Sequence, residues 1–463
     1  MNKPIYIAFM LLLLLSSTAK SQFQVNSKVI DKESGKAIPF ANITIANTTK
    51  GTMSNQEGDF QLYIPLSGLN TRILISSLGY RSVSIHPKKI EKTIELTPVS
   101  YGLSEVKISA SKLLNDPKKI LKECIKAASG FRPDQPYINK GFLRQTHLLN
   151  KKYVKLIEAA LFTYSTPNEP KPKVHIIEKR NTYDNREIDA KELGFFKKWE
   201  STRYNKAKRE AENYNPEKEE LLKLIRDTDE KRNSVYKIKR FETAYQAKIK
   251  GVWHNLNDIY SDKDTQLKLD TIMEKDGEAI YKIKILPTAK ELKSSPFIRI
   301  GYLLISAQDF ALYELKYAMT QNPKVANARQ MAAANLIKSD FTLKYKRYKN
   351  KLYPSYYNSK SFDMTGMTNI KTHIEQTKFP RICREFLFTE IIDDAKEIKQ
   401  NIPQKWNDKL YEASEYHPEF WENYTILLET KDEAKLRKDL ESEVSLKEQY
   451  QHATDSIRIN QIN

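Results

Sequence analysis

One pair of residues in this sequence has a spacing that occurs in metal-dependent hydrolysis. His175 and Glu178 are separated by two residues, which suits two ligands of a zinc ion. Catalysis would also need a third ligand, a general base and a bound water, and the next histidine, His254, lacks the company of such a site. We therefore predict a strand here, with the apolar Ile176 and Ile177 between two exposed polar residues.

Other patterns of catalytic residues are equally incomplete. His373 with Glu375 and His417 with Glu419 are pairs of a kind that chance produces, and no Gly-x-Ser-x-Gly motif occurs. With only 13 glycines, most of them in turns, no glycine-rich loop is present to bind phosphate. The sequence thus predicts no catalytic, metal-binding or cofactor-binding residues and no cofactor; a metal-dependent hydrolase is the third alternative.

Aromatic residues cluster near the C-terminus, at Tyr416, Phe420, Trp421 and Tyr424. The cluster is either an exposed platform on which a partner stacks or the anchor that docks the tail on the rest of the protein. Each ring buries about 150–250 Å² when it is packed. Pro418 is suited to begin a helical turn, which places Phe420 and Tyr424 on one face. We predict docking.

The helix predicted after this cluster needs such an anchor. Its apolar stripe is narrow, and isolated helices of this length are marginal in water. Glu433–Arg437 and Lys435–Asp439 have the spacing of helix-stabilising ion pairs. The stripe consists of Leu436, Leu440 and Val444.

The first 21 residues fit a secretory signal peptide. Lys3 is followed by the apolar run Ile5–Leu15, and Ala19 and Ser21 are small residues placed for cleavage before Gln22. The alternative is a membrane anchor, but a spanning helix needs about 20 apolar residues and this run is shorter. We expect an exported protein in the periplasm or at the outer membrane.

The chain is basic, with 77 Lys and Arg against 58 Asp and Glu and a net charge of +19. The charge is +17 once Lys3 and Lys20 leave with the signal peptide. Export excludes nucleic acid as a partner, so anionic lipid head groups or acidic glycans are the candidates; lysines scattered over solvated faces are the alternative. An envelope protein is the other expected partner.

Two cysteines occur, Cys124 and Cys383. An oxidising compartment permits a disulfide between them, but both have apolar neighbours, so two separate buried thiols are equally consistent with the sequence.

Residues 23 to 97 alternate apolar and polar side chains in short runs, as half-buried strands do. Phe23, Val25 and Val29 share a face of the first run, and Phe60, Leu62 and Ile64 one of a later run. Turns separate the runs at Ser34-Gly35, Lys50-Gly51, Glu57-Gly58 and Leu78-Gly79. Short strands at this spacing predict a β-sandwich.

Three segments here make the pattern specific: Gly35 to Ile45, Lys50 to Phe60 and Ile75 to Tyr80. In order and spacing they resemble the carboxypeptidase regulatory-like domain, a transthyretin-type sandwich found at the front of envelope proteins. One departure is Ser54-Asn55, where the family usually has a Thr-Asp pair; both pairs favour a turn.

A helix is predicted after a linker at 101–111, because Asp116 is a good N-cap and Pro117 suits the first helical position. Its apolar face is Ile120, Leu121, Cys124, Ile125 and Ala128, and Gly130 ends it. Residues 190–235 are charged and predicted mostly helical, with a cap at Asn215-Pro216.

Strands return at 141–146, 153–162 and from 262 to 380. Across the turn Asp276-Gly277, Leu267, Leu269 and Met273 are expected to face Tyr281, Ile283 and Ile285. Further strands are predicted at 298–306, 311–318, 341–345, 352–362 and 370–379.

The segments after residue 140, including 153–159, 301–305 and 419–424, resemble uncharacterised envelope proteins that carry a regulatory-like domain before a large β-rich region. The strand order of 262–380 also resembles the open half-barrel of periplasmic lipoprotein carriers.

The predicted fold is α+β and mainly β, with an N-terminal seven-strand-type sandwich and a larger antiparallel-sheet domain with peripheral helices. The expected boundaries are 1–21 for the signal peptide, 22–105 for the sandwich, 106–135 for linker and helix, 136–400 for the β-rich domain and 401–463 for a helical tail. The expected function is non-enzymatic binding or scaffolding in the envelope; the alternative is a carrier of an apolar ligand in the second domain.

Overall fold

We describe a computed structural model of the chain. It describes residues 22–99, 113–149, 152–183, 187–189, 256–325, 339–362, 381–451 and 458–460, apart from positions 168, 170, 171, 262, 264, 296, 323 and 413. The predicted signal peptide, the linker 101–111, the segment 190–235, the strand 370–379 and the His373 pair lie outside these residues.

The N-terminal part is a sandwich of two small sheets, ordered β4-β1-β7 and β3-β2-β5-β6. Its core consists of its own alternating strand residues, among them Val29, Ile43 and Phe60. The seven strands are β1 (Gln22–Asp31), β2 (Asn42–Ile45), β3 (Gly51–Met53), β4 (Asp59–Pro65), β5 (Ile73–Ser76), β6 (Val83–Ile85) and β7 (Thr93–Leu96). Short 3₁₀ helices occupy Leu66–Gly68 and Pro87–Lys89.

Two glycines of this sandwich are required for different reasons. Gly58 lies in a turn with φ +82°, and a Cβ there would also approach the Val29 carbonyl oxygen to 2.4 Å. Gly51, predicted as a turn residue, is instead the first residue of β3. A Cβ on Gly51 would lie 2.3 Å from the Ile43 carbonyl oxygen, so close strand approach explains this glycine.

The larger part is one antiparallel sheet of ten strands, ordered β10-β9-β8-β18-β17-β16-β15-β14-β13-β12. In chain order, β8 is the first and β18 the last described strand of this sheet, and the two pair with each other. This pairing joins two meanders into one sheet. The strands are β8 (Tyr137–Leu149), β9 (Lys152–Ser165), β10 (Lys173–Asn181), β12 (Thr265–Lys275), β13 (Glu278–Pro287), β14 (Phe297–Ser306), β15 (Leu312–Gln321), β16 (Ser339–Tyr348), β17 (Lys351–Phe362) and β18 (Arg381–Ile392). Separately, β11 (Glu187–Asp189) pairs in parallel with β19 (Arg458–Asn460). The mainly-β, α+β fold is as predicted.

The predicted hairpin at Asp276-Gly277 is present, and both turn residues have positive φ angles of 52° and 84°. One predicted pair is wrong, because a bulge between Leu269 and Thr271 shifts the register. Ile272, and not Met273, therefore opposes Tyr281 and enters the core. The sequence patterns also missed β18.

The two faces of the ten-stranded sheet carry different neighbours. On one face, here called the helix-side face, α1 (Pro117–Ala127) and α2 (Leu256–Ser261) pack against β12–β17 around Cys124 and Ile259. Asp116 caps α1 as predicted, accepting from the Lys118 backbone N–H at 2.9 Å. One register row of this face runs through Ile283, Leu303, Leu315, Leu343, Tyr357, Phe386 and Leu143.

The opposite face, here called the tail-side face, carries the sandwich and most of the C-terminal tail. The helices of the chain are α1 (Pro117–Ala127), α2 (Leu256–Ser261), α3 (Ala289–Ser294), α4 (Ala395–Asn401), α5 (Pro418–Trp421), α6 (Lys431–Leu440) and α7 (Leu446–Gln451). In the described part of the chain, none of them is long and apolar enough to cross a membrane.

The predicted stripe on the tail is formed by two helices and not one. Helix α6 ends at Leu440, before Val444, and Leu446 and Tyr450 of α7 complete the cluster around Leu156. The predicted Lys435–Asp439 ion pair is present at 2.5 Å. Arg437 contacts Glu429 at 2.6 Å, and the side chain of its predicted partner, Glu433, lies outside the described residues.

Candidate functional site

A carboxylate between two guanidinium groups lies at the centre of the interface between sheet and tail. Glu158 on β9 opposes Arg144 on β8 and Arg180 on β10, so period-two alternation places all three on the tail-side face. Arg144 Nε donates to Glu158 Oε1 at 2.8 Å and Arg180 Nε to Glu158 Oε2 at 2.7 Å. We call these three residues the ion triad.

Electrostatics keep the triad charged although it is buried. Burial alone raises the pKa of the Glu158 carboxyl, but Arg180 and Arg144 outweigh burial and hold that pKa below its usual range. Sequence reasoning missed the triad. The available signal was a single carboxylate, Glu158, in the middle of an apolar strand.

Aromatic rings of the tail cover the triad. Trp421 is only 6% exposed, and its ring centre lies 4.4 Å from the Arg180 guanidinium carbon. The centre of the Tyr450 ring lies 5.2 Å from the same carbon. The Tyr424 hydroxyl donates to the Gly141 carbonyl oxygen at 2.8 Å. The predicted docking of the tail through its aromatic cluster is confirmed.

The sandwich also docks on the tail-side face, but mainly through backbone groups. Thr49 Oγ1 donates to the Ile391 carbonyl oxygen at 2.6 Å and accepts from the Ile391 N–H at 3.1 Å. Lys50 pairs with Glu390 at 3.1 Å. Phe40 and Met53 add an apolar contact with the sheet around Tyr356.

Asn55 joins the sandwich to the tail. Its Oδ1 accepts from the Glu57 and Asp59 backbone N–H groups, which forms the expected turn. Its Nδ2 donates to the carbonyl oxygens of Leu428 and Glu429 at 3.4 and 3.1 Å. An Asp at this position would form the turn but would place a carboxylate against two carbonyl oxygens, so the Asn of this chain suits tail docking.

The helix-side face over β18 and β8–β10 is built differently from the core under α1. Apolar side chains form a belt across these strands, and Leu410 from the tail packs on it. We call this set the apolar belt. It comprises Leu143, Ile157, Ala159, Leu161, Val174, Ile176, Phe386 and Phe388.

Buried polar side chains lie at the end of the apolar belt. Gln145 and His147 are fully buried, and Gln145 Nε2 lies 2.7 Å from both His147 Nε2 and the Tyr411 hydroxyl oxygen. Because an amide N–H donates, the contact with His147 is a hydrogen bond in the tautomer whose Nε2 accepts. We call these three residues the amide–imidazole cluster.

Two buried cationic side chains flank this cluster. Lys155 Nζ lies 5.4 Å from the centre of the Tyr411 ring, and Arg384 opposes Gln145 across β18 and β8. Gln145 Oε1 accepts no hydrogen bond from the described residues. The apolar belt and the amide–imidazole cluster together form one surface of the helix-side face, which we call the helix-side wall. This wall offers apolar contacts beside a few fixed polar groups, the usual composition of a ligand site.

The His175–Glu178 pair is not part of that wall. A bulge between Ile176 and Glu178 turns Ile177 outward, so Ile177 is 41% exposed. The predicted strand is present, but its expected exposure is wrong: His175 and Glu178 are only partly exposed, and the apolar Ile177 is the exposed residue. His175 Nδ1 accepts from the Asn407 N–H, whereas Glu178 contacts His417 at 3.0 Å. No group of three metal-ligating residues occurs among the described residues.

The two cysteines are not joined by a disulfide and lie on opposite faces of the sheet. Cys124 lies in the core under α1, where burial raises the pKa of its thiol to about 12. Cys383 alternates with Arg384 and so points to the tail-side face. A disulfide between them would have to cross the sheet, which leaves the separate-thiol alternative.

Comparison with known protein families identifies the N-terminal sandwich. Residues 25–108 match the CarboxypepD_reg-like domain. The match confirms the resemblance predicted from the turn glycines and the strand spacing. The seven-stranded sandwich that docks through Thr49 and Asn55 is thus a CarboxypepD_reg-like domain followed by a larger β-rich region.

Comparison with solved structures gives distant similarities that each cover about three fifths of the chain. A domain described as an outer membrane lipoprotein-sorting protein from Vibrio parahaemolyticus is 9% identical, with a TM-score of 0.20, over 62% of this chain and 96% of that one. A LolA superfamily protein from Nitrosomonas europaea is 6% identical, with a TM-score of 0.18, over 62% and 97%. A DUF1329 family protein from Desulfovibrio piger is 8% identical, with a TM-score of 0.21, over 60% and 94%. No curated protein matches the chain.

Proposed function

We propose that the protein is a non-enzymatic binding protein of the cell envelope, exported behind residues 1–21. Its ligand is held against the helix-side wall formed by the apolar belt and the amide–imidazole cluster. The observation that carries the proposal is the pair of fully buried polar side chains, Gln145 and His147, at the end of an apolar strand surface. Burying an amide costs free energy unless the amide is fully hydrogen-bonded. In a ligand-binding site, a buried polar group of this kind can fix the orientation of the ligand.

The composition of the wall indicates an amphiphilic ligand. The apolar belt suits an alkyl chain, and the cluster with Lys155 and Arg384 beside it suits a polar or acidic head group. This ligand class makes a carrier the favoured form of binding. Scaffolding is the second candidate, and the docking of sandwich and tail on one face of the sheet favours it.

The arrangement of nucleophiles supports a non-enzymatic role. Among the described residues, neither cysteine lies with His147, because Cys124 is inside the core under α1 and Cys383 points to the other face. Gln145 and Tyr411, the side chains paired around His147, are suited to recognition and positioning.

Native mass spectrometry tests the binding role. The mature protein is purified from gently lysed envelopes, its intact mass is compared with a chain that begins at Gln22, and bound molecules are identified after organic extraction. We expect a stoichiometric amphiphile on the wild-type protein. A wild-type protein that carries no amphiphile and takes none up from vesicles of its own lipids would overturn the carrier.

The matched variants lie next to each other on β8. Gln145→Leu removes the buried amide at similar volume and should lower occupancy, whereas Thr146→Val changes the tail-side face and should not. Equal occupancy in both variants would remove the amide–imidazole cluster from the site. A co-purifying envelope protein without any lipid would instead favour scaffolding.

A further inference from the structure

A segment of the tail wraps around the edge of the ten-stranded sheet. Trp406 packs on the tail-side face against Phe162, with ring centres 5.9 Å apart. The chain then crosses the edge strand β10, where the Ile176 N–H donates to the Asn407 carbonyl oxygen at 2.7 Å. Tyr411 lies on the helix-side face beside Gln145. We call residues 406–412 the strap.

Further bonds hold the middle of the strap on β10. Lys179 Nζ donates to the Lys409 carbonyl oxygen at 2.5 Å, and Asn181 Nδ2 donates to that of Leu410 at 3.3 Å. The strap thus lies over the end of the apolar belt and supplies one member of the amide–imidazole cluster.

A histidine is located at each end of this crossing, and the two make opposite kinds of contact. Before it, His175 Nδ1 accepts from the Asn407 N–H at 3.1 Å, which requires an unprotonated Nδ1. After it, where the chain returns to the tail-side face, His417 Nδ1 lies 3.0 Å from Glu178 Oε2, a contact strengthened by a protonated ring.

We propose that the strap is a pH-sensitive closure of the helix-side wall, tethered by His175 at its start and by His417 at its end. It is held most tightly between the acidic range that charges His175 and the alkaline range that discharges His417. The tethers stand independently of any ligand; that opening the strap exposes a binding surface rests on the proposed function.

The surroundings of His175 set the acidic limit. Its ring lies among the rings of Phe162 and Trp406, with Lys173 Nζ 5.9 Å from the centre of the Trp406 ring. Burial lowers the pKa of His175 below its ordinary value of 6.5. The closed strap therefore loses stability as the pH falls from 6.5 through this lowered pKa.

The surroundings of His417 set the alkaline limit. Glu178 accepts from its Nδ1, Glu415 lies 3.8 Å from its Nε2, and Glu419 adds a third negative charge. The hydrogen bond and charge of Glu178 raise the pKa of His417 above 6.5. Its contribution is complete below 6.5 and is lost as the pH rises through the raised pKa.

Hydrogen exchange of the full mature chain tests the strap. Peptides covering 404–412 and β10 are followed by mass spectrometry from pH 5 to 8, and protection factors are corrected for the intrinsic effect of pH. We expect protection to be highest near pH 6.5 and to fall about two- to fivefold on each side, a modest change because neither tether is fully buried.

Three variants distinguish the loss of strap protection at low pH from the loss at high pH. His175→Gln keeps a neutral acceptor and should abolish the acidic loss only, while His417→Lys keeps the cation and should abolish the alkaline loss only. His86→Gln, in the sandwich, removes another histidine whose Nδ1 accepts a backbone N–H and should change neither.

Peptides from β14 and β15 report whether each variant is folded, and His417→Arg replaces His417→Lys if the latter loses protection there. Protection of the strap that is constant from pH 5 to 8, or an alkaline loss that persists in the cationic variant, would overturn the proposal. Loss of ligand with normal strap behaviour would count against the proposed function alone.

Discussion

The tail and the sandwich dock on the same face of the same sheet but by different physical means. The tail covers a buried ion triad with Trp421 and Tyr450. The sandwich makes hydrogen bonds to backbone groups through Thr49 and Asn55, with a small apolar contact at Phe40 and Met53. Its own core is complete without the sheet.

This difference teaches which parts of the chain depend on each other. Glu158 and Arg144 are almost fully buried, and rings of the tail cover the partly buried Arg180, so removing one of these charges leaves the others without the counter-charge that offsets their loss of hydration. The bonds of Asn55 can be replaced by water when the sandwich separates. The tail is thus integral to the sheet, and the sandwich is an added unit.

Glu158→Gln should have the largest effect of the changes that test this comparison. Arg144 would remain buried, and Arg180 partly buried, without their carboxylate, at a cost of about 3–5 kcal/mol in the free energy of unfolding. Urea unfolding measures this loss. Asp59→Asn removes a partly exposed ion pair with Lys28 and should cost less than about 1 kcal/mol; equal losses in both would contradict the integral role of the triad.

The same carboxylate gives the tail a pH dependence. Because the folded pKa of Glu158 is lowered, its contribution is complete above the ordinary value of 4.5 and is lost as the pH falls through the lowered pKa. As the pH falls, the tail of the wild-type protein should therefore become sensitive to protease. In Glu158→Gln, the protease sensitivity of the tail should change less with pH.

Trp421→Ala should destabilise the sheet and tail by about 3 kcal/mol, at the low end for a buried tryptophan because the tail can move to close the cavity. Limited proteolysis should cut the tail before the sheet unfolds. Phe420→Ala, a partly buried neighbour in the same cluster, should cost less. Unchanged stability together with a lost binding partner would instead show that the rings are an exposed stacking platform.

Asn55→Asp should weaken sandwich docking by about 1–3 kcal/mol, because a carboxylate would face the carbonyl oxygens of Leu428 and Glu429. Calorimetry should show the transition of the sandwich separating from that of the sheet. Asn26→Asp, at an exposed position of β1, is the matched control and should leave the two transitions as they are. A single unchanged transition in Asn55→Asp would show that this contact contributes nothing.

The smallest effect is expected in the isolated sandwich. Residues 22–105 should unfold in one cooperative transition, since all the described residues of their core belong to the sandwich itself. Introducing Asn55→Asp into this fragment should leave its midpoint unchanged, because the tail carbonyls are absent. A fragment without a cooperative transition would show that the sandwich depends on the sheet as much as the tail does.

The sequence by itself determined the local features of this protein. Period-two alternation and turn residues such as Gly58 predicted the sandwich, and Asp276-Gly277 predicted a hairpin that is present. The aromatic residues around Trp421 predicted a docked tail. These features depend on residues that are close in the chain, so a short window of sequence contains the physical cause of each.

Tertiary structure decided how those pieces combine. Arg144, Glu158 and Arg180 are 14 and 22 residues apart, and only the register of three strands makes them one ion triad. A bulge moved Met273 away from its expected pairing with Tyr281, and another turned the apolar Ile177 outward. Gln145 acquired its buried partner from Tyr411, 266 residues away. Alternation states which residues share a face, but register, bulges and chain crossings select the face and its neighbours, and those depend on the packing of the whole sheet.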